Sequence, residues 1–180
     1  MATGDSQIQL VTFRLGDELY GVDIMSVKEI VKIQPIRPIP NAPYYMVGIL
    51  NLRGDIIPII DLHRRFHIDF SNGVEELDEL ESGFIIINID GNQIGIIIDR
   101  VSRVVSVDAA EVQEPPKMMG GIGSEYIKGV VRTTDENFLI MLDIIKLFDP
   151  KEMQKILIDN RKWSRLIVQQ SVERKWMRFW

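Results

Sequence analysis

The sequence contains no cysteine, so disulfide bonds and thiolate chemistry are excluded. It has no run of 18 apolar residues, and its opening residues, MATGDSQ, carry neither a basic nor an apolar stretch, so we expect neither a membrane span nor a signal peptide. These features favour a cytoplasmic chain. With 180 residues, 46% of them hydrophobic and 26% charged, it is long enough to bury a core as one domain or as two small fused ones.

Catalytic motifs are also lacking. The chain has no phosphate-binding G-x-x-x-x-G-K-[ST] loop, no G-x-G-x-x-G fingerprint and no G-x-S-x-G elbow. His63 and His67 are four residues apart, but a zinc site needs a third ligand and two arginines lie between them, so we interpret both as surface or partly buried residues. We therefore predict no enzymatic activity, no metal and no cofactor. Carboxylates that end apolar runs are assigned to capping of the turns that follow: Asp23, Asp61, Asp99 and Asp143.

Charge is unevenly distributed. Residues 151–180 hold eight Lys or Arg against three acids, a net charge of +5, so residues 1–150 carry −10 of the total of −5. Aromatic residues make up only 8% of the sequence. Small-barrel proteins that bind nucleic acid interleave basic and aromatic residues on their strands, so an acidic body with few aromatics argues against binding to RNA or DNA.

The pattern of residues 1–150 predicts a mainly β fold. Gly16-Asp17, Arg53-Gly54-Asp55 and Gly91-Asn92 are expected to form tight hairpin turns, and Pro58 favours an edge strand or a bulge because it cannot donate a ladder hydrogen bond. A helical segment is predicted at 24–31 from the spacing of its apolar residues, and single short helical turns are predicted at 62–66 and 144–148. Eight apolar or β-branched runs predict strands at 8–15, 18–24, 47–52, 56–60, 84–89, 94–98, 127–131 and 138–142.

The chain also repeats itself. The segment VGILN at 47–51 is similar to KGVVR at 128–132, and IDLHRRF at 60–66 is similar to LDIIKLF at 142–148. Two copies of one small barrel explain this similarity, because many short twisted strands usually avoid open edges by closing into barrels. The polar, acidic segment at 70–83 is predicted to connect the two halves.

Residues 151–180 contain all three tryptophans, and apolar residues recur there at three and four. This spacing predicts a basic amphipathic helix. Three interpretations stay open: a helix laid over the body, a docking helix for a partner or neighbouring subunit, and a segment on a membrane surface. The residues expected to contact a partner are Trp163, Ile167 and Trp176.

Several motifs, in order, resemble those of the CheW family, the coupling proteins of bacterial chemotaxis arrays. They are FRLGDELYGVDI from residue 13, VKEI from residue 27, VGILNLRGDIIPIIDL from residue 47, GIIIDRVSRV from residue 95 and EYIKG from residue 125. The resemblance runs from about residue 7 to about residue 150. It implies two intertwined five-stranded SH3-like barrels, no enzymatic activity, and a CheW-like domain at 1–150 followed by the 151–180 extension.

The resemblance further implies two partners, the cytoplasmic tip of a chemoreceptor and the regulatory domain of the histidine kinase CheA, with self-association in arrays as an additional expectation. It places the protein in the cytoplasm at the membrane-associated receptor array, without direct membrane insertion. The alternative is a CheW-like scaffold paralogue that serves another receptor–kinase pathway and docks a further partner through its C-terminal helix. The receptor-binding residues that the resemblance implies are Val27, Glu29, Ile30, Arg53, Val101 and Val104.

Overall fold

A computed structural model describes residues 6–68, 82–116, 123–134 and 137–148. Within them the chain is mainly β, with short helices only, as the sequence predicts. Its helices are α1 Leu62–Phe66 and α2 Ile144–Leu147, and single 3-10 turns form at Ile24–Ser26, Ala109–Glu111 and Ser124–Tyr126. The strands are β1 Gln7–Leu15, β2 Glu18–Asp23, β3 Val27–Lys32, β4 Met46–Leu52, β5 Asp55–Asp61, β6 Gly83–Ile89, β7 Asn92–Ile98, β8 Arg100–Asp108, β9 Ile127–Arg132 and β10 Phe138–Leu142.

The strands form two five-stranded sheets of the same topology. Sheet 1 has the order β8-β1-β2-β10-β9, and sheet 2 has the order β3-β6-β7-β5-β4. Strand β3 follows β1 and β2 in the chain but pairs with β6, whereas β8 follows β6 and β7 but pairs with β1. Each half of the chain therefore gives its first two strands to one sheet and its last three to the other, which confirms both the internal repeat and the intertwined architecture. Strands β3 and β8, the first after each crossing between the sheets, are called the exchanged strands below.

Both sheets curl so that their two edges approach each other. The chain after β3 pairs with β4 through Arg37 and Ile49, and the chain after β8 pairs with β9 through Gln113 and Val130. Gly48 and Gly129 are the repeated glycines of the two halves, and at each of them a β-carbon would collide with this closing segment. The repeated glycine is thus explained by the close backbone approach that closure requires.

Three hydrophobic clusters hold this arrangement together. One lies on sheet 2 alone and includes Leu50, Ile57 and Phe84, and one lies on sheet 1 alone and includes Leu10 and Leu139. The largest cluster, called the shared core below, takes residues from the facing sides of both sheets and from both helices. The two barrels are consequently one folding unit, because neither facing side is covered without the other.

The structure corrects the helical prediction at 24–31. Asp23 caps only the 3-10 turn at Ile24–Ser26, and the chain then continues as strand β3. Pairing with β6 and a preference of β-branched Val27 and Val31 for strands outweigh the weak helical spacing. The predictions at 62–66 and 144–148 are confirmed as α1 and α2, each with an aspartate cap.

Two further details differ from expectation. The β6–β7 turn is made by Asp90 and Gly91, one residue earlier than predicted, because both have the positive φ that this turn needs (50° and 84°). Pro58 lies in an inner strand rather than at an edge. It is tolerated there because it faces Ile49, whose backbone bonds to Arg37, and because the β5–β7 ladder begins only at Ile59.

Predictions for two other segments fall largely outside the described residues. The first is the acidic connection at 70–83, of which only Ser82 and Gly83 are described, and Gly83 already begins β6. The second is the basic helix predicted at 151–180, with Trp163, Ile167 and Trp176. In the ranges that are described, no helix is both long and apolar enough to cross a membrane.

Candidate functional site: a cleft between the two sheets

The two exchanged strands each contain a β-bulge at a corresponding place. In β3, Val27 pairs with Ile87 and Glu29 with the next residue, Ile86, so that one extra residue of β3 is accommodated. In β8, Ser102 and Arg103 together face the single residue Thr12. Residues three apart in a regular strand lie on opposite faces, but a bulge returns them to the same face.

This geometry brings four of the predicted site residues onto the facing sides of the two sheets. Val27 and Ile30 are paired with Ile87 and Ile85, and Val101 and Val104 are paired with Phe13 and Val11, all four partners belonging to the shared core. Val27 and Val101 are half-buried and pack against that core. Ile30 and Val104 are 42% and 55% exposed, so part of this apolar face is open to solvent.

A cleft of about 570 Å³ lies between the two exchanged strands. Ile30 and Val101 line it from opposite sheets, whereas Val27 and Val104 are not among its lining residues. Two of the four aliphatic residues that the resemblance implies for receptor binding thus line the cleft. Besides Ser82 and Gly83, the other lining residues are Arg14, Val31, Lys32, Arg100 and Ser102.

The bulge in β8 is held by a buried hydroxyl group. Thr12 is fully buried, and its Oγ1 donates to the backbone oxygen of Arg103 at 2.6 Å and accepts from the backbone nitrogen of Arg103 at 3.2 Å. These bonds satisfy the backbone groups that the bulge removes from the regular ladder. Thr12 therefore fixes the position of one wall of the cleft, a role that sequence alone did not indicate.

Arg53 and Glu29 form a second feature close to the exchanged strand β3. The two guanidinium nitrogens of Arg53 donate to the two carboxylate oxygens of Glu29 at 3.2 and 3.0 Å. The Arg53 side chain is 73% exposed, so the pair joins the β4–β5 turn to β3 while keeping the cation accessible. Sequence reasoning placed Glu29 and Arg53 on one surface without predicting that they bond to each other.

The backbone of Arg53 lies in the predicted hairpin turn and not in strand β4. Strand alternation would place Arg53 on the same face as Asn51 and Ile49, but Arg53 is the first residue of a two-residue turn with φ of 52°. Alternation does not extend into a turn of this kind. Asn51 instead accepts a hydrogen bond from the backbone nitrogen of Gly54, which stabilises the turn.

A buried charge cluster centred on His63 links the two sheets. His63 is 3% exposed, its Nδ1 lies 3.2 Å from Asp61 and its Nε2 lies 2.9 Å from Asp99. Asp99 also accepts from the backbone nitrogen of Gly16, in the β1–β2 turn of sheet 1. Sequence analysis interpreted His63 as a surface or partly buried residue and Asp99 as a cap, and both assignments are wrong because the fold brings the two side chains together.

The protonation of this cluster follows from its contacts. Burial alone would lower the pKa of His63, but the hydrogen bonds to Asp61 and Asp99 and the charges of these carboxylates outweigh it and raise the pKa to about 9. Burial correspondingly favours a higher pKa for Asp61, but its bonds to His63 bring the pKa below its ordinary value. The imidazole is therefore a cation that donates from both nitrogens near neutral pH.

Other predicted roles are simpler. Asp23, Asp61 and Asp143 accept hydrogen bonds from backbone nitrogens of the turns that follow them, as expected of caps. Among the described residues, no group of three His, Asp or Glu side chains is arranged to hold a metal ion.

Comparison with known proteins identifies the relatives of this chain. The family model described as "CheW-like domain" matches residues 9–152. The chain is 57% identical over 156 residues to "Chemotaxis protein CheW" of Treponema pallidum, covering 87% of this chain and 91% of that protein. It is 37% identical over 152 residues to "Chemotaxis protein CheW" of Klebsiella aerogenes, covering 84% of this chain and 87% of the relative.

A solved structure has the same fold. The crystal structure of the scaffolding protein TtCheW from Thermoanaerobacter tengcongensis matches with a TM-score of 0.71 and 34% sequence identity, and the match covers 84% of this chain and 94% of that one.

Proposed function

The chain belongs to the family of CheW-like domains and is a chemotaxis adaptor, and from that premise we propose that it couples chemoreceptors to the histidine kinase CheA. In this proposal it binds the cytoplasmic tip of a receptor with one surface and the regulatory domain of CheA with another. It has no catalytic activity and acts in the cytoplasm, where its partners attach it to the receptor array. Residues 1–150 carry both binding surfaces, and residues 151–180 form a C-terminal extension.

The observation that carries the proposal is the cleft between the exchanged strands. Ile30 and Val101 reach it from different sheets, and Glu29, the residue before Ile30 in β3, binds Arg53. Exposed aliphatic side chains beside a bidentate arginine are the kind of composition that protein interfaces favour. We assign this surface to the receptor, with Val27 and Val104 at its margins.

Coupling requires that both partners be held at once, so the kinase must bind elsewhere. We propose that CheA docks by apolar contacts at the ends of the barrels. Phe138 is an exposed residue of this kind: it is 47% exposed and lies beneath the guanidinium of Arg132, whose carbon is 5.9 Å from the ring centre. The proposal does not depend on which barrel end is used.

The test is reconstitution from purified components. The protein is mixed with a chemoreceptor cytoplasmic fragment and CheA, and co-sedimentation and kinase activity are measured. We expect a ternary complex in which kinase activity responds to the receptor fragment.

Charge reversal by Arg53→Glu should weaken the receptor interaction and leave CheA binding nearly unchanged. Failure of the folded wild-type protein to assemble with either partner would refute the coupling function, and loss of both affinities in a folded Arg53→Glu protein would refute separate surfaces.

A further inference from the structure

Between successive described strands the chain passes from one sheet to the other twice. The first crossing runs from β2 to β3 and includes the 3-10 turn at Ile24–Ser26. The second runs from β7 to β8, and Asp99 is the single residue between these two strands. Because the backbone has only two soft dihedral angles per residue, the conformation of Asp99 sets the direction in which β8 leaves sheet 2.

Asp99 is held by groups that belong to both sheets. Its backbone nitrogen donates to the backbone oxygen of Arg14 at 3.2 Å, and its Oδ2 accepts from the backbone nitrogen of Gly16 at 2.7 Å. These two bonds join it to the β1–β2 hairpin of sheet 1. The same Oδ2 lies 2.9 Å from Nε2 of His63, in the helix α1 that directly follows strand β5 of sheet 2. One carboxylate oxygen therefore connects the two sheets.

The imidazole of His63 is itself fixed in position. Its Nδ1 lies 3.2 Å from Oδ1 of Asp61, and this oxygen also accepts from the backbone nitrogen of His63. The other oxygen of Asp61 lies 3.3 Å from Nε of Arg64. The ring is buried, where hydrogen bonds are electrostatically stronger than in water. Hydrogen bonds thus run without a break from Asp61 through His63 and Asp99 to the backbone of Gly16, an arrangement called the inter-sheet bridge below.

The other half of the chain has an apolar residue at the position of His63. The similarity of IDLHRRF to LDIIKLF matches His63 with Ile145. Each of these segments follows a strand that is parallel to the strand before a crossing, β5 to β7 and β10 to β2. Ile145 is 70% exposed, and Asp23, which ends β2, accepts from the backbone nitrogen of Met25. The repeated fold therefore forms at the first crossing without a histidine, so the fold alone does not explain His63.

The second crossing leads directly into one wall of the cleft. Val101, two residues after Asp99, lines the cleft from sheet 1, and Ile30 lines it from sheet 2. A change in the direction of β8 at Asp99 would move one of these side chains relative to the other. We propose that His63 is a positioning residue for receptor binding, which acts through Asp99 to fix the two sheets relative to each other and with them the width of the cleft. This inference rests on the proposed function, because it takes the cleft as the receptor surface.

The first measurement is a distance between the two sheets. The chain has no cysteine, so Asn88→Cys in β6 and Lys128→Cys in β9 provide one exposed spin-label site on each sheet. Pulsed electron paramagnetic resonance of this labelled protein should give one narrow distance distribution. Adding His63→Gln or Asp99→Asn should broaden or shift it, because each change removes the charge-assisted hydrogen bond between the two side chains. A variant that is merely less stable keeps the native distance in its folded molecules.

The second measurement is the affinity of the full-length protein for each partner. His63→Gln and Asp99→Asn should weaken binding to a receptor cytoplasmic fragment roughly tenfold. They should leave CheA binding nearly unchanged, because each barrel end proposed for the kinase belongs to one sheet. The double variant should lose little more than either single variant, since both changes remove the same contact. Asp23→Asn and Ile145→Gln are the matched controls at the first crossing, and each should keep the wild-type distance and both affinities.

The outcomes separate this inference from the coupling function. An unchanged distance distribution in both folded variants would overturn the inference, and so would a changed distribution with wild-type receptor affinity. Equal losses of receptor and CheA affinity would indicate general damage to the fold and would also overturn it. If His63→Gln does not fold, Asp99→Asn provides the same test, because asparagine can still accept from Gly16. If folded wild type binds no receptor fragment, the proposed function fails, whereas the distance measurement still shows whether the inter-sheet bridge fixes the two sheets.

Discussion

Arg53 occupies a backbone conformation that is unfavourable for its side chain. Its φ is 52°, a value that glycine, asparagine and aspartate tolerate better. The β6–β7 turn of the same sheet has Asp90 at the equivalent turn position. The left-handed conformation costs about 1 kcal/mol or more, whereas an exposed ion pair such as that with Glu29 contributes about 0 to 1 kcal/mol. Stability therefore does not account for arginine at this position, and partner binding is the role that we propose for it.

Replacing Arg53 by asparagine separates these two contributions. Asparagine suits the turn, so we expect the free energy of unfolding of Arg53→Asn to stay within about 1 kcal/mol of wild type. Receptor affinity should fall by on the order of 1 to 3 kcal/mol because the guanidinium is lost. Titration with a receptor fragment is compared with thermal melting, and Asp90→Asn, at the matching turn position, serves as a control that should change neither. Normal binding by Arg53→Asn would show that the arginine has no part in recognition.

His63 should make the protein less stable as the pH becomes alkaline. Its folded-state pKa of about 9 lies above the ordinary value of 6.5, so its contribution is complete below pH 6.5 and is lost as the pH rises through 9. The loss should be on the order of 3 kcal/mol, because the pKa rises from 6.5 to about 9 and each pKa unit corresponds to about 1.4 kcal/mol. Urea unfolding across this range measures the effect. His63→Gln should be less stable at neutral pH and should show a much flatter profile, and an equally steep profile would assign the dependence to another group.

At the scale of elements, local sequence predicted most of the fold but not the exchange of strands. The runs between turn residues identified eight strands because alternation and turn chemistry are local properties. Strand β3 was mistaken for a helix, and β8 was not predicted as a strand, because both are edge strands whose partners lie in the other half of the chain. Their bulges depend on tertiary pairing, so the placement of Val27 and Ile30 on one face of a strand was not predictable from local sequence.

The candidate site was likewise predictable only in part. The resemblance implied its receptor-binding residues, and the turn at Arg53-Gly54 was predictable from its glycine. The contacts of Glu29 with Arg53 and of His63 with Asp99 were not, since the paired residues are 24 and 36 positions apart. Long-range side-chain contacts carry no local sequence signal.

The bulge in β8 can be tested through Thr12. Thr12→Val keeps the shape but removes both hydrogen bonds to Arg103, so buried backbone groups lose their partner. We expect a loss of about 1 to 3 kcal/mol in stability and weaker receptor binding, because Val101 and the adjacent wall of the cleft shift. Chemical unfolding and receptor titration are the measurements. Thr133→Val is a suitable control, because its hydroxyl bonds the backbone of Asn137 at an exposed site and its loss should matter little. Wild-type stability of Thr12→Val would mean that the bulge needs no side-chain support.

For the whole molecule, the exchange of β3 and β8 makes the two barrels interdependent. The cleft lies where the exchanged strands approach each other, so its shape is set by both halves at once. The shared core and the cluster of His63, Asp99 and Gly16 join the same two sheets. In the proposed function, this construction would hold the surface assigned to the receptor rigidly relative to the barrel ends assigned to CheA.

The C-terminal boundary of this unit follows from the last described elements. Both sheets are complete at Leu142, and Ile144, Leu147 and Phe148 are buried in the shared core. Truncation after Pro150 should therefore preserve the β circular-dichroism signal and keep the melting temperature within a few degrees of wild type. Truncation after Asp143 is the contrasting variant: it removes three buried side chains, each contributing about 2 to 5 kcal/mol, and should leave the protein unfolded. If the protein ending at Pro150 also unfolds, residues 151–180 are part of the core. If it folds and still assembles with the receptor fragment and CheA, the basic extension with Trp163, Ile167 and Trp176 is not required for either of these two contacts.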